Sequence, residues 1–340
     1  MSARVTFASP SSRVGLALGA LVLGALVAAP LWGGRDDLEL LSQIYAYVAL
    51  ASLWNLLAGY AGLVSVGQQA YVGLGAYLLF GLAIFAGLSP LLAIPLAGLI
   101  AAAVALPVAG LVFRLRGHYF AIGTWIIAEV FRLAASQVAV LGGGSGTSLP
   151  AALVIAMAPT RRLRDLSEYW VSLALVVAVL ALIVLLLRSR YGLALKAIRD
   201  SELAATCNGV DVLRTKIFIY IVTASATAMV GAFIFLQRLR ISPDAAFSVN
   251  DWTAFVIFIT VIGGIGRIEG PIVGTIVFFA LRQTLADRGT VYLMILGAVA
   301  IAVMLVARKG IWGLVVDKLG WEVFPLERRV AVKTEAAAEN

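Results

Sequence analysis

Glu168–Leu187, EYWVSLALVVAVLALIVLLL, runs into Arg188–Lys216, RSRYGLALKAIRDSELAATCNGVDVLRTK, and a second apolar run follows to Leu236. The first run has the roughly 20 mostly apolar residues that a membrane-spanning helix needs. The segment after it carries Arg188, Arg190, Lys196, Arg199, Arg214 and Lys216 against Asp200, Glu202 and Asp211. It cannot lie in hydrocarbon, where each charge costs about 2.5–3.5 kcal/mol at a helix centre. It also has its own helix punctuation. Asp200 or Ser201 can cap a short helix through Glu202-Leu203-Ala204-Ala205, and Asn208-Gly209 can end it with a left-handed residue. A short helix held at the face of a membrane bundle reads as a docking surface, so the chain is expected to transmit work done by a partner.

Composition agrees with that class. Hydrophobic residues make up 62% of 340 and charged residues 13%, against roughly half and a quarter in soluble domains. The net charge of +8 raises nucleic acid as a partner. The basic residues, however, cluster between apolar runs, which is the positive-inside pattern of a protein in a lipid bilayer, and no nucleic acid is expected. A single cysteine, Cys207, excludes an intrachain disulfide framework and a multi-cysteine metal site, and the lone His118 leaves no histidine cluster. His118 is read as an interfacial residue. The fold class is therefore all-α, a polytopic membrane helix bundle.

About ten spans are predicted, near 14–31, 40–58, 68–88, 90–113, 118–136, 168–187, 214–236, 252–266, 270–286 and 290–307. The first resembles a signal peptide in its basic start, yet it ends in Pro30-Leu31-Trp32 without a small-x-small cleavage site and reads as a retained span. With ten alternating spans, Arg114, Arg116, segment 188–216, Arg267, Arg308, Lys309 and both termini share one side, which the lysine/arginine bias makes cytoplasmic. The other side receives Arg35-Asp36-Asp37 and the segments 137–167 and 237–251, which carry Arg161, Arg162, Arg164, Arg238 and Arg240. The pair 252–266 and 270–286 is broken by Gly263-Gly264-Ile265-Gly266 and Gly270-Pro271, and reads either as two full spans or as a re-entrant pair. Residues 310–340 become polar and are expected to form a disordered tail.

Polar residues interrupt the apolar pattern in Asn55–Tyr77, NLLAGYAGLVSVGQQAYVGLGAY. Glycines there allow close helix contact. Asn55, Ser65, Gln68 and Gln69 place amides and a hydroxyl near membrane depth, where polar groups are tolerated only against protein or a watery path. These four are candidates for a translocation path or gate. Gly67 and Gly75 share an eight-residue spacing with Gly266 and Gly274, the kind of echo left by paired transporter repeats. Glu129 and Arg132 share a helix face. They either pair inside the bilayer, which makes Glu129 a path candidate, or snorkel at the outer interface. The run Gly142-Gly143-Gly144-Ser145-Gly146-Thr147 lacks the Gly-Lys-Ser/Thr ending of a phosphate loop. No nucleophile–base–acid set is legible, so the chain is not expected to be an enzyme.

Three stretches together resemble the permease subunit of branched-chain amino acid ATP-binding cassette importers. They are Asn55–Gly62 with Ser65-Val66-Gly67-Gln68, then Leu115-Arg116-Gly117-His118-Tyr119-Phe120-Ala121-Ile122, then Ile262–Gly266 with Gly270-Pro271. Arg190-Tyr191-Gly192 and Ala204-Ala205-x-x-x-Gly209 lie between them, and the resemblance covers roughly 38–310. The Leu-Arg-Gly-x-Tyr-Phe stretch and the extra first span resemble the longer of the two permease types.

The resemblance implies a permease domain over 1–309, a polar cytoplasmic tail over 310–340 and a bacterial inner-membrane location. It makes 188–216 the element that couples to an ATPase, with Lys196, Arg199, Glu202, Ala204, Ala205 and Gly209 as candidates. The family pattern there is Glu-Ala-Ala-x-x-x-Gly, and Glu202 is displaced from it by one position. Implied partners are a second permease, two ATPase subunits that hold the ATP, and a periplasmic binding protein; no cofactor is implied for this chain. An ion-coupled secondary transporter or channel is the rival class. Within the importer class, urea or amides are alternative cargoes.

Overall fold

The computed structural model describes residues 3–6, 10–115, 117–158, 160–285, 290–307, 309–319 and 329–332. Arg116, Arg308, Arg328 and residues 333–340, all used in the charge and tail readings, lie outside them. The first half of the bundle comprises α1 (Pro10–Trp32), α2 (Arg35–Asn55), α3 (Gln68–Phe85), α4 (Pro90–Val112), α5 (His118–Ser136) and the short α6 (Ala151–Met157). The second half begins with α7 (Arg161–Arg188), α8 (Arg190–Asp200), α9 (Glu202–Cys207), α10 (Val212–Arg238) and a single turn, α11 (Pro243–Ala246). It closes with α12 (Phe255–Gly263), α13 (Glu269–Leu285), α14 (Thr290–Val306) and α15 (Gly310–Leu319).

Each predicted span coincides with one of these helices. Among the described residues, eight helical stretches are long and apolar enough to cross a membrane. The expected polytopic all-α bundle is therefore the fold.

Side-chain caps cut the helices where the sequence placed polar residues. Ser89 Oγ accepts from Leu92 N–H at 3.4 Å ahead of Pro90 at the first helical position of α4. Thr160, Ser189, Ser201 and Asp211 do the same for α7, α8, α9 and α10. Four caps in about fifty residues chop one charged stretch into short helices between two long ones. Pro95 and Pro107 sit inside α4, as spanning helices tolerate when neighbours re-satisfy the backbone.

Helix α10 is the central strut, packed against α3 and α4. Small residues set its distance from α3. A Cβ on Gly75 would lie 2.0 Å from the Ala228 carbonyl oxygen, and one on Gly231 would lie 2.3 Å from that of Val72. The two backbones are therefore in direct contact, the arrangement expected where dispersion rather than hydrophobic exclusion holds helices together.

Helix α2 packs against α7. There the Tyr169 hydroxyl donates to the Leu26 carbonyl at 2.6 Å and shares a 2.9 Å hydrogen bond with Tyr45, tying in α1. Tyr47, Trp252, Phe278 and Phe279 stack where α2, α12 and α13 meet.

Over 255–285 the chain folds as two helices, α12 and α13, packed against each other. A Cβ on Gly274 would lie 1.9 Å from the Ile259 carbonyl oxygen, and one on Gly263 would lie 1.8 Å from that of Gly270. The tail expectation is corrected over 310–319. Gly310-Ile311-Trp312-Gly313-Leu314-Val315-Val316 is apolar enough to fold as α15, which packs against α12 and α13. Gly310 lies at φ +74° against the Gly264 backbone. Arg329–Val332 pairs antiparallel with Ala3–Thr6.

Candidate functional site

Helices α2, α7, α10, α12 and α13 run alternately between two ends of the bundle. One end gathers the last residue of α2, the α7–α8 turn, α9 and the α12–α13 loop. The other gathers Arg35, Arg164, Arg238, Asp251 and Arg282. The predicted site residues divide between these ends and the core.

At the first end, α8 leaves α7 through a turn only glycine allows, since a Cβ on Gly192 would lie 2.0 Å from the Leu187 carbonyl oxygen. Leu195 and Ile198 turn inward, while Lys196, Arg199 and Asp200 are exposed. Of the two capping candidates, Ser201 caps α9, its Oγ accepting from Ala204 N–H at 3.3 Å.

Gly209, at φ +80°, ends α9. Val210 N–H donates to the Ala205 carbonyl at 3.1 Å and Gly209 N–H to that of Thr206 at 3.0 Å, the paired bonds of a Schellman stop. Ala205 is 1% exposed and anchors α9 to the bundle, whereas Leu203 is 78% exposed and points away from it. Glu202 pairs with Lys216 of α10. The result is a rigid, capped single-turn platform presenting Leu203, Ala204 and Cys207 outward. Ala205, one of the predicted coupling residues, faces inward and so packs rather than presents.

Arg199 turns toward the bundle. A Cβ on Gly266 would lie 2.9 Å from Arg199 Nη1, which places the guanidinium beside the α12–α13 loop. Asn55, at the end of α2, grips the same loop. Its Nδ2 donates to the Arg267 carbonyl and its Oδ1 accepts from Gly266 N–H, each at 2.7 Å. Gly59 completes the contact, with a Cβ there 2.6 Å from Gly266 N. The two glycine-broken segments noted in the sequence therefore meet. Asn55, predicted for the path, is placed as a clamp between them.

In the core, Ser65 Oγ accepts from Gly67 N–H at 3.2 Å. Gln69 is bonded to Thr253 by both side chain and backbone. Gln68 Nε2 donates to the Leu50 carbonyl at 2.9 Å. Its Oε1 and the Thr223 hydroxyl are buried without a hydrogen-bond partner among the described residues. Both residues line a cavity of about 20 Å³ shared with Trp54, Tyr71 and Tyr220. Helix α3 enters this region at Gly67, whose Cβ would lie 2.2 Å from the Thr124 carbonyl oxygen. Ser65 and Gln68 thus share a small cavity, a constriction rather than an open passage, while Gln69 is bonded to Thr253 and Asn55 to the α12–α13 loop.

Glu129 lies outside this group. Its carboxylate is 44% exposed and pairs with Arg132, which also holds Asp244 of α11 at 2.8 Å.

Sequence reading missed a cleft of about 270 Å³ at the second end. It is lined by Arg35, Glu39, Arg164, Asp165, Glu168, Arg238, Asp251 and Arg282 together with Gln43, Tyr47 and Trp252. The sequence placed Arg35, Arg164 and Arg238 among loop charges of the outer side. Their convergence had no local signature, because five helices contribute to the cleft.

The fold is a polytopic helical membrane bundle with a capped short helix, α9, at one end and a polar cleft at the other. The comparisons with known proteins narrow this. A model of the family described as the permease component of branched-chain amino acid transport systems matches residues 38–308, and the chain belongs to that family.

It is 28% identical over 307 residues to the high-affinity branched-chain amino acid transport system permease protein LivM of Salmonella typhimurium, covering 84% of this chain and 72% of that one. The Escherichia coli K12 protein of the same name gives the same identity and coverage. Over 144 residues it is 30% identical to the ribose import permease protein RbsC of Bacillus subtilis, covering 41% of this chain and 45% of that one. No solved structure matches. Family membership sets aside the ion-coupled transporter and the channel.

Proposed function

We propose that the chain is one of two membrane subunits of an ATP-driven importer that carries branched-chain amino acids released by a periplasmic binding protein. The relatives named LivM support the cargo, and the family supports assembly with ATPases that hold the nucleotide. The observation that carries the mechanism is the α9 platform. A single-turn helix is marginal by itself, yet this one is capped at both ends, anchored by Ala205 and left with an apolar outer face. That is the surface a motor protein needs to push on.

In this reading the α9 end is cytoplasmic. ATP closure of the ATPases moves α8 and α9, and Arg199 passes the displacement to the α12–α13 loop. The Asn55–Gly266 clamp then shifts α2 and opens the constriction at Gln68. The permease needs no dense charged pocket in its core, because the binding protein selects the solute.

Cys207, the chain's one cysteine, lies exposed on α9 and supplies the test. A membrane-impermeant maleimide should label it in inverted inner-membrane vesicles and not in right-side-out ones, and added ATPase subunits should block the reaction. Labelling from the periplasmic side would refute the scheme, since no cytoplasmic motor could then reach α9.

A further inference from the structure

The cleft at the second end has a charge pattern that its own side chains do not complete. On its α7 wall each charge faces an opposite one, Arg35 Nε lying 3.2 Å from Asp165 and Arg164 Nε 3.5 Å from Glu168, although the second pair makes no hydrogen bond among the described residues. The facing wall differs. Arg238 of α10 and Arg282 of α13 form no ion pair among the described residues. Glu39 of α2 and Asp251, just ahead of α12, likewise have no ion-pair or side-chain hydrogen-bond partner there. Two cations and two carboxylates thus remain available around one small space.

Arg238 is held in place without being neutralised. Its guanidinium lies over the Trp252 ring at 4.9 Å and the Phe235 ring at 5.3 Å, and Arg282 lies over Phe279 at 5.9 Å. Stacking fixes one face of a guanidinium and leaves its edge donors free for a carboxylate. Leu38, Ala46 and Ile234 supply an apolar part of the lining, and Trp252 lies buried beneath Arg238. A volume of 270 Å³ is below the roughly 300 Å³ at which drug-sized sites begin. It suits one small solute and excludes a folded segment.

We propose that this cleft is a receiving site for a zwitterionic α-amino acid with an apolar side chain. The solute's carboxylate meets Arg238 and Arg282, its ammonium meets Asp251 and Glu39, and its side chain lies along the apolar part of the lining at Leu38, Ala46 and Ile234. The cleft and the α9 platform lie at opposite ends of α7 and α10, so a solute arriving here enters on the side away from the motor. This assignment rests on the reading above that the chain carries amino acids inward.

The test uses the whole importer in proteoliposomes, with Cys207→Ser as background and Gln237→Cys as a reporter in the cleft. L-leucine at millimolar concentration should slow maleimide labelling of the reporter at least threefold. 3-Methylbutylamine and 4-methylpentanoate, each lacking one charge, should not. Arg238→Gln and Asp251→Asn should each abolish the protection while leaving the unliganded labelling rate within twofold, which shows that the fold is intact.

Absence of protection in an importer that still takes up leucine from its binding protein would overturn the site and leave the proposed function standing. Protection by another apolar amino acid, with no uptake of any branched-chain one, would uphold the site and remove the assigned cargo. Equal protection by ethanolamine phosphate would assign the cleft to a lipid headgroup and overturn the proposal.

Discussion

Replacing Asn55 by alanine removes both ends of one clamp. The side chain is 1% exposed and makes two 2.7 Å bonds, one from Gly266 N–H and one to the Arg267 carbonyl. Without it a backbone donor and a backbone acceptor lose their partners. A buried orphan costs about 1–3 kcal/mol. The loop is only half-buried, so water recovers part of this and the lower end applies, about 2–3 kcal/mol in total. For a chain of this size that corresponds to a fall of roughly 3–4 °C in the unfolding midpoint.

Ser52, one turn earlier on α2, is the control. Its hydroxyl is buried with no hydrogen-bond partner among the described residues, so Ser52→Ala should leave the midpoint unchanged or raise it. Gly59→Ala attacks the clamp from the other side, because its Cβ would lie 2.4 Å from Asn55 Oδ1. The double variant Asn55→Ala with Gly59→Ala should therefore cost less than the sum of the single changes. The assay is thermal unfolding of the detergent-solubilised importer, followed by monodispersity. Equal shifts for Asn55→Ala and Ser52→Ala would refute the reasoning, as would strict additivity with Gly59→Ala.

Gly75→Ala should destabilise by about 1–3 kcal/mol through overpacking against Ala228. Gly81→Ala in the same helix, with open space around it, should be neutral or stabilising by up to about 1 kcal/mol; matching midpoints would show that α3 and α10 do not touch. Leu203→Arg should lower co-purification of the ATPase at least tenfold without moving the unfolding midpoint by more than about 1 °C, since the side chain is 78% exposed. Retained association would remove α9 as the docking surface. Gln68→Leu removes the side-chain hydrogen bond to the Leu50 carbonyl and makes the constriction more apolar; uptake should fall several-fold while the binding protein's affinity for solute stays fixed, and unchanged uptake would take Gln68 out of the path.

How much was legible depended on whether the information was local. Helix boundaries were, because a cap is written within four residues. Ser201, Ala205 and Gly209 carry the start, anchor and stop of α9 on their own. The fate of Asn55 was not. It read as a polar residue at membrane depth and therefore as a path candidate, and only the approach of a loop more than 200 residues away shows it holding backbone. Glu129 had two readings, and its pairing with Arg132 was fixed by spacing, whereas the link to Asp244 required α11 to arrive beside α5.

By itself the sequence determined that the chain lives in a bilayer, because some twenty apolar residues in a row have no other stable place to go. It also determined that 188–216 must stay outside that layer, because its charges cannot enter. The tertiary structure alone decided which polar groups are satisfied and which are left over. Arg238, Arg282 and Glu39 come from three separate helices and Asp251 from the turn ahead of a fourth, and whether each finds a partner depends on how those helices cross. Charge at a helix end is a property of the chain; an unbalanced cleft is a property of the fold.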